Sequence, residues 1–257
     1  MHRLFAASDQ IDCQSGRVTI TGQDHIHLAR VLRARAGDLV IVLDGAGNAY
    51  QAALTTVGKT ESIADIKERI KPPPEPAILI TVAQALGKSE KFETVVQHGT
   101  EAGASRFIPI LADRSVFEIP KDRIETRLAR WRAIAKGAAE QSFRARIPDV
   151  AVPARLADLF LNASPSNAVT LMLHTSAPCV SLREALNRMT SAPRQVTICV
   201  GPEGGWSTSE VDHASRHGIE QISLGPHVLR TETAALVAIS QLLYHFTRPG
   251  ESTSCVS

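Results

Sequence analysis

An apolar run that stops in a side-chain-poor bend constrains this chain more than any other feature. Val196-Thr-Ile-Cys-Val200 has the composition of a buried strand and runs straight into Gly201-Pro202-Glu203-Gly204-Gly205. The arrangement recurs downstream, where Ile219–Leu224 reads as a strand ending in Gly225-Pro226-His227-Val228-Leu229. Between them Ser207-Thr208-Ser209-Glu210 is a capping box, in which a hydroxyl and a carboxylate satisfy the free amides of a helix start. In an open α/β sheet, ligands bind in the crevice beyond the carboxyl ends of the strands. Glycine there allows positive φ and brings backbone groups close to a flat ligand. Pro202 and Pro226 stiffen both bends by fixing φ. One such bend reads as an ordinary tight turn; two on consecutive strands read as a ligand site.

The sequence upstream supplies the rest of a mostly parallel sheet. Ala77–Ala83 is an apolar strand, followed by Gln84-Ala-Leu-Gly87-Lys88 and a helix from Ser89 to Ala102 that buries Phe92, Val95 and Val96. Gly103 stops that helix, and Arg106–Ile110 is the next strand. A strand–helix–strand unit implies parallel pairing. Lys121–Ser142 is a long helix whose apolar stripe is Ile124, Leu128, Trp131, Ala135 and Ala138. Residues 156–168 read as a helix and loop, Val169–Leu173 as a third buried strand ending at His174, and Ser181–Met189 as a short helix. The last helix, Thr231–Phe246, offers Leu236, Ile239, Leu242, Leu243 and Phe246 to the core.

Residues 1–71 differ in character. Arg17–Ile20, Leu39–Leu43 and Ala49–Thr56 are short β segments, with Asp44-Gly45 and Gly47-Asn48 bracketing a hairpin connection. A helix pattern over Asp24–Ala34 offers Ile26, Leu28, Val31 and Leu32 for packing and carries Arg30, Arg33 and Arg35. A small closed β-barrel with one helix accommodates this, since closure removes sheet edges. His25 and His27 lack a third metal ligand nearby and read as a solvated pair. Lys71-Pro-Pro-Pro-Glu-Pro76 is a semi-rigid spacer. The expected organisation is a β-barrel domain over 1–71, an α/β domain over 77–249 and a flexible tail over 250–257.

Composition narrows the setting. A hydrophobic content of 44% supports an ordinary core, and a net charge of +2 means that nucleic-acid affinity must come from local clustering. One cluster spans Lys121 to Arg155, with nine Lys and Arg against four Asp and Glu. Cys13, Cys179, Cys199 and Cys255 are scattered without metal-ligand spacing, so neither zinc nor another metal is expected. No apolar stretch approaches the ~20 residues that span a bilayer, and Met1-His-Arg-Leu-Phe lacks a signal-peptide core. The expectation is a cytoplasmic protein that is not in the membrane.

The residues now support a family. Gly201–Gly205 together with Leu224-Gly-Pro-His-Val-Leu-Arg-Thr-Glu-Thr-Ala234 resembles the RsmE family. Glu140-Gln-Ser-Phe-Arg-Ala-Arg-Ile-Pro148 is similar to its Glu-Gln-Ser-x-Arg-x-Arg-x-Pro motif, with Phe143 at a place that is often smaller. Gly87-Lys88 also matches the family, Glu101-Ala-Gly-Ala104 departs conservatively from Glu-Leu-Gly-Val, and His25–Asp38 resembles the family's PUA-like, RNA-binding N-terminal domain. The family comprises SPOUT-class, S-adenosylmethionine-dependent methyltransferases acting on N3 of a uridine in 16S ribosomal RNA. The resemblance implies a SPOUT-like α/β domain with a trefoil knot, a PUA-like β-barrel, and a homodimer.

It also implies roles. The S-adenosylmethionine cleft would be built from Leu173 and His174 on one strand end, and from Val200, Gly201, Pro202, Glu203, Gly204 and Gly205 on the next. Leu224, Val228 and Leu229 would enclose the adenine while backbone groups read its edge, and Gly225, Thr231 and Ala234 would complete the cofactor site. His174 either touches the cofactor or caps its strand. Arg230 would stabilise charge on the uracil oxygens as N3 ionises. Glu232 is either a base or an acidic residue favoured by the helix dipole. RNA contacts fall to Arg30, Arg33, Arg35, Lys88, Arg144 and Arg146. Three rivals stand beside this reading: a SPOUT relative modifying another base or a ribose, a nucleotide-phosphate enzyme, and a non-catalytic RNA-binding module. The second lacks the Gly-x-x-x-x-Gly-Lys-Ser/Thr spacing.

Overall fold

The structure is a computed structural model that describes residues 1–87, 89–115, 119–161, 167–175 and 179–247. Lys88 and the 250–257 tail lie outside the described residues. The chain divides into two compact units, Met1–Glu75 with Ala139–Ile147, and Pro76–Ala138 with 148–247.

In the first unit, β1 (His2–Phe5), β2 (Ile11–Asp12), β3 (Arg17–Thr21), β4 (Leu39–Leu43), β5 (Ala49–Val57) and β6 (Glu61–Ile70) form one sheet. Their order is β1-β4-β5-β6-β3-β2; β1 is parallel to β4 and the other pairs are antiparallel. Leu4, Val18, Ile20, Val40, Val42, Leu54 and Ala64 come from five of these strands and share one core. Only a sheet curled on itself brings those faces together. The sequence did not single out β6, because its two inward residues nearest the core are Ser62 and Ala64, too small or polar to mark alternation.

Two expectations for this unit change. The Asp24–Ala34 pattern becomes a short helix α1 (Gly22–Ile26) continued by a π-helical turn, His27–Val31. Only Leu28 of its proposed packing residues is buried; Ile26 and Val31 are exposed. The histidines are not a solvated pair either. His25 is buried, with Nδ1 2.8 Å from the Ser62 hydroxyl, while His27 is exposed. A ring inside a core needs one such partner, and β6 provides it.

Residues 139–147 belong to the first unit. Helix α3 (Ile124–Gln141) ends there with Phe143 at φ +59, a position usually held by glycine. The Phe143 amide donates to Glu140 O (3.4 Å) and the Arg144 amide to Ala139 O (2.9 Å), the two bonds of a Schellman stop. The ring is buried against Phe5, Ile41, Leu43 and Ala49, with the Arg3 guanidinium 4.5 Å above it. Left-handed backbone costs a residue with Cβ about 1–2 kcal/mol. Truncating a buried phenylalanine costs about 3–5 kcal/mol. Phe143→Gly should therefore destabilise by about 2 kcal/mol in denaturant unfolding; a gain in stability would show that the ring contributes less than its backbone costs.

The second unit contains β7 (Leu79–Ala85), α2 (Ser89–Ala102), β8 (Arg106–Leu111), α3 (Ile124–Gln141), β9 (Asp149–Val150), β10 (Ala154–Arg155), α4 (Leu156–Leu161) and β11 (Ala168–Leu173). It continues with β12 (Val180–Ser181), α5 (Leu182–Asn187), β13 (Gln195–Val200), α6 (Thr208–Arg216), β14 (Glu220–Ser223) and α7 (Thr231–Phe246). Its strands run in the order β10-β8-β7-β13-β11-β14-β12, with β9 also on β8, and every pair is parallel.

A parallel sheet must be covered on both faces, which explains its continuous apolar strands. Ile80, Val82, Leu171, Val196 and Ile198 face α2, α3, α5 and α7. Ala83, Ala85, Met172 and Cys199 face α4 and α6. Burial pushes the Cys199 thiol up to about 12, so it stays neutral. The α3 stripe is buried as expected at Leu128, Trp131, Ala135 and Ala138, and Trp131 meets Phe92 edge-on at 4.6 Å.

The core side of α7 keeps Ile239 and Leu242 of the expected stripe and replaces the rest with alanines. It is Ala235, Ala238, Ile239 and Leu242; Leu243 and Phe246 are only partly buried. Small residues win because α2 packs closely there. A Cβ on Gly99 would lie 2.8 Å from the Phe107 ring and 3.5 Å from Ile239. Among the described residues no helix is long and apolar enough to cross a membrane.

Candidate active site

The three strands β13, β11 and β14 lie side by side and end together, with β11 between the two glycine-bearing bends. The bends are therefore not on neighbouring strands, and the interposed end contributes Leu173, His174 and Thr175. All three ends line one cleft of about 550 Å³. Its wall includes Val200 through Trp206 and Ile222 through Thr231, with Ala234 at the start of α7. It thereby brings together every residue expected to hold the cofactor, and Arg230 with them.

The glycines divide into those that serve the turn and those that serve packing. Gly205 has φ +69 and Gly225 φ +142, conformations that a side chain would strain. Gly201 does something else. A Cβ there would sit 3.2 Å from the Trp206 indole. The missing side chain makes room for the protein's own tryptophan, rather than for a ligand. Trp206 is 4% exposed, and its Nε1 donates to the Leu173 carbonyl at 3.0 Å. One indole thus ties the β13 bend to the β11 end. Gly204 packs on Arg114, whose Nη1 donates to the Gly204 carbonyl at 3.1 Å.

Lys91, near the start of α2, was invisible to motif reading. Its ammonium donates to Glu203 at 2.6 Å and lies 3.8 Å from Glu232. It joins the β13 bend to the first turn of α7. Gly87 leaves space for this, since a Cβ there would meet the Glu203 carboxylate at 3.0 Å. The hydrogen bond to Glu203 holds the Lys91 pKa above the usual lysine value, and the charge of Glu232 adds to the rise. A raised lysine contributes fully below its ordinary pKa, and the contribution is lost only as pH rises through the raised value. The bridge is thus intact at neutral pH. Lys91→Met should loosen Glu203 and raise the cofactor dissociation constant about tenfold at pH 7, with little change for the wild type between pH 6 and pH 8; calorimetric titration reads both.

The remaining expected residues are distributed as follows. Arg230 is exposed at the N-cap of α7, and its guanidinium has no hydrogen-bond or ion-pair partner among the described residues. Glu232 is not part of the cleft wall; it faces Lys91 and accepts from the Thr231 hydroxyl at 3.2 Å. Arg30, Arg33 and Arg35 are all exposed in the first unit, Arg33 at φ +51. Arg144 does not fit a phosphate contact as it stands. It is 9% exposed, and its Nε and Nη2 are both held by one Glu75 carboxylate oxygen, so phosphate binding would break a shielded ion pair. Arg146 is exposed, and only its backbone amide is bonded to Glu75, at 3.2 Å. In the second unit, Arg127 and Arg130 of the basic helix face Glu93 at 3.8 and 2.7 Å.

Comparison with known proteins decides the family. An RNA methyltransferase domain matches residues 73–243, and an RNA methyltransferase PUA domain matches residues 20–67. The ribosomal RNA small subunit methyltransferase E of Synechocystis is 33% identical over 241 residues, covering 94% of this chain and 77% of that one. The chain belongs to the ribosomal RNA small subunit methyltransferase E family. The methyltransferase E of Bacillus subtilis is 32% identical, covering 95% of this chain and 96% of its own. The crystal structure of methyltransferase E from Neisseria gonorrhoeae bound to S-adenosylmethionine matches with TM-score 0.84 and 28% identity, covering 96% and 100% of the two chains. A Legionella pneumophila protein in complex with the same cofactor matches with TM-score 0.85 and 30% identity over 95% and 97%. The mixed fold of this methyltransferase E chain, a curled sheet in one unit and a parallel α/β sheet in the other, is that of a PUA domain and a SPOUT-like methyltransferase domain.

Proposed function

We propose that the chain transfers a methyl group from S-adenosylmethionine to N3 of a uridine in 16S ribosomal RNA of the small subunit. The observation that carries this is the meeting of three strand ends in one cleft, with a guanidinium at its edge that none of the described residues holds.

The residues fit the cofactor. Small-molecule sites measure about 300–1,000 Å³, and the cleft holds about 550 Å³. Leu173, Ile222, Leu224 and Leu229 give it an apolar wall, and Val228, 81% exposed, is an apolar residue that a bound adenine would cover. Gly205 and Gly225, at positive φ without a side chain, let a ligand approach the backbone of the bends. Bound there, S-adenosylmethionine would supply a methyl group on a sulfonium that is already a good leaving group.

The chain's own task is alignment and charge. The methyl group would pass from bound S-adenosylmethionine to N3 as the C–S bond breaks, and the imide proton of N3 would be lost to solvent. The lone pair becomes available as the uracil ring turns anionic. Arg230 donates to the uracil oxygens on which that charge develops, which lowers the barrier most when the donor is already in place. Glu232 holds Lys91, and through it the Glu203 bend, rather than taking the proton. The exposed Arg30, Arg33, Arg35 and Arg146 supply positive charge for RNA phosphates. We place the enzyme in the cytoplasm with its ribosomal substrate, as a homodimer.

The test is chemical. Purified protein is incubated with S-adenosylmethionine and either free 16S ribosomal RNA or assembled small subunits, and the digested nucleosides are mass-mapped. The expected product is 3-methyluridine in one arm or both. A ribose-methylated nucleoside, or no product in either arm, would contradict the proposal.

A further inference from the structure

The cleft has two guanidiniums that no acidic group matches among the described residues. Lys91 is matched by Glu203 and Glu232, whereas Arg114 and Arg230 have no acidic partner among the described residues. Arg230 has a role in the reading above. Arg114 has none. It is exposed, yet the backbone at Asp113 and the Arg114 side chain are both anchored.

The backbone is anchored first. The Asp113 amide donates to the Glu210 carboxylate at 3.0 Å, and Glu210 is 8% exposed. The Asp113 carboxylate accepts from the Ser207 hydroxyl at 2.6 Å and from Ser209 at 3.0 Å. Those hydroxyls hold the Asp113 carboxyl below the usual carboxylate range, so the anchor persists at neutral pH and is lost only in acid. The side chain is anchored next. A Cβ on Gly204 would touch the Arg114 Cβ at 3.4 Å, and Nη1 of Arg114 spends one N–H on the Gly204 carbonyl. A guanidinium has five N–H donors. The others remain directed away from the only bond it makes among the described residues.

We infer that Arg114 is a phosphate-binding residue for the acceptor RNA, set at the flank of the cleft away from the adenine wall. Topology supports the phosphate over the cofactor's carboxylate. Arg114 follows β8, and β7 and β13 separate that strand from β11. At ~4.8 Å per strand the β8 end is about 14 Å from β11, whose end and β14's bend form the apolar wall. A small ligand is largely engulfed by its site, whereas an exposed, preorganised fork at the rim suits a polymer phosphate passing over it. The inference rests on the methyl-transfer reading.

The experiment measures the Michaelis constant for 16S ribosomal RNA at several salt concentrations, and the cofactor dissociation constant by calorimetry, for wild type, Arg114→Gln and Arg114→Lys. Arg114→Gln keeps the aliphatic stem on Gly204. It should raise the RNA Michaelis constant about tenfold, flatten the log–log salt slope by about 0.7, and raise the cofactor dissociation constant by much less than that, through the lost bond to Gly204 alone. Arg114→Lys should restore the slope. A weakened cofactor with unchanged RNA would assign the fork to the carboxylate and overturn the inference, as would a salt slope equal to wild type in Arg114→Gln or a flattened slope in Arg114→Lys. If wild type neither binds cofactor nor methylates, the functional reading fails with it; if wild type methylates and Arg114→Gln matches it, the Arg114 assignment fails alone.

Discussion

Arg230→Ala should lower methyl transfer by about 10²–10³-fold, the usual loss when one preorganised donor to developing negative charge is removed. Cofactor binding should stay within about twofold, because the loss falls on the transition state. The fold should be untouched. Arg230 caps α7 through its backbone carbonyl, which accepts from the Ala234 amide at 2.8 Å, and its side chain makes no cap bond. Arg230→Lys should recover only part of the rate, since an ammonium keeps the charge and loses the fork. Single-turnover kinetics with saturating cofactor separates these outcomes. Full turnover in the alanine variant would remove Arg230 from the chemistry.

Trp206→Ala carries the largest expected effect on stability. The indole is 4% exposed, packs on Gly201, and donates to the Leu173 carbonyl. Truncating a buried aromatic of this size costs about 3–5 kcal/mol. For a chain of this length that is a fall of about 10 °C in midpoint. The cofactor should suffer as well, because the β13 bend loses the side-chain bond that ties it to the β11 end. Trp206→Phe isolates that bond. It keeps most of the packing, loses the N–H, and should cost about 1 kcal/mol with a measurable loss of cofactor affinity. A phenylalanine variant with wild-type affinity would show that packing alone sets the cleft.

What the sequence made legible follows from range. Strands covered on both faces read as unbroken apolar runs, so β7, β11 and β13 stand out, and the Ser207–Glu210 box is local enough to be seen whole. The glycine bends mark themselves. What they do was only partly legible: Gly201 makes room for an indole five residues on, a fact of tertiary packing. Lys91 and Arg114 were hidden for the same reason. Each reaches the bend across the sheet, 112 and 90 residues away in sequence. A basic loop also says nothing of its partners, and Glu75, which pairs with Arg144, lies 69 residues away in sequence. In α7, Ile239 and Leu242 were legible as core, but Ala235 and Ala238 were not, because leucine looks more like core than alanine does although close helix packing prefers the smaller residue.

One measurement tests the central claim most directly: calorimetric titration of the wild-type protein with S-adenosylmethionine, repeated with Gly225→Val. Gly225 lies at φ +142, where valine cannot follow without distorting the β14 bend. Saturable heat in the wild type that is lost in the variant is the expected result. An absence of heat in the wild type, or equal heat in both, would contradict a cofactor gripped between these strand ends.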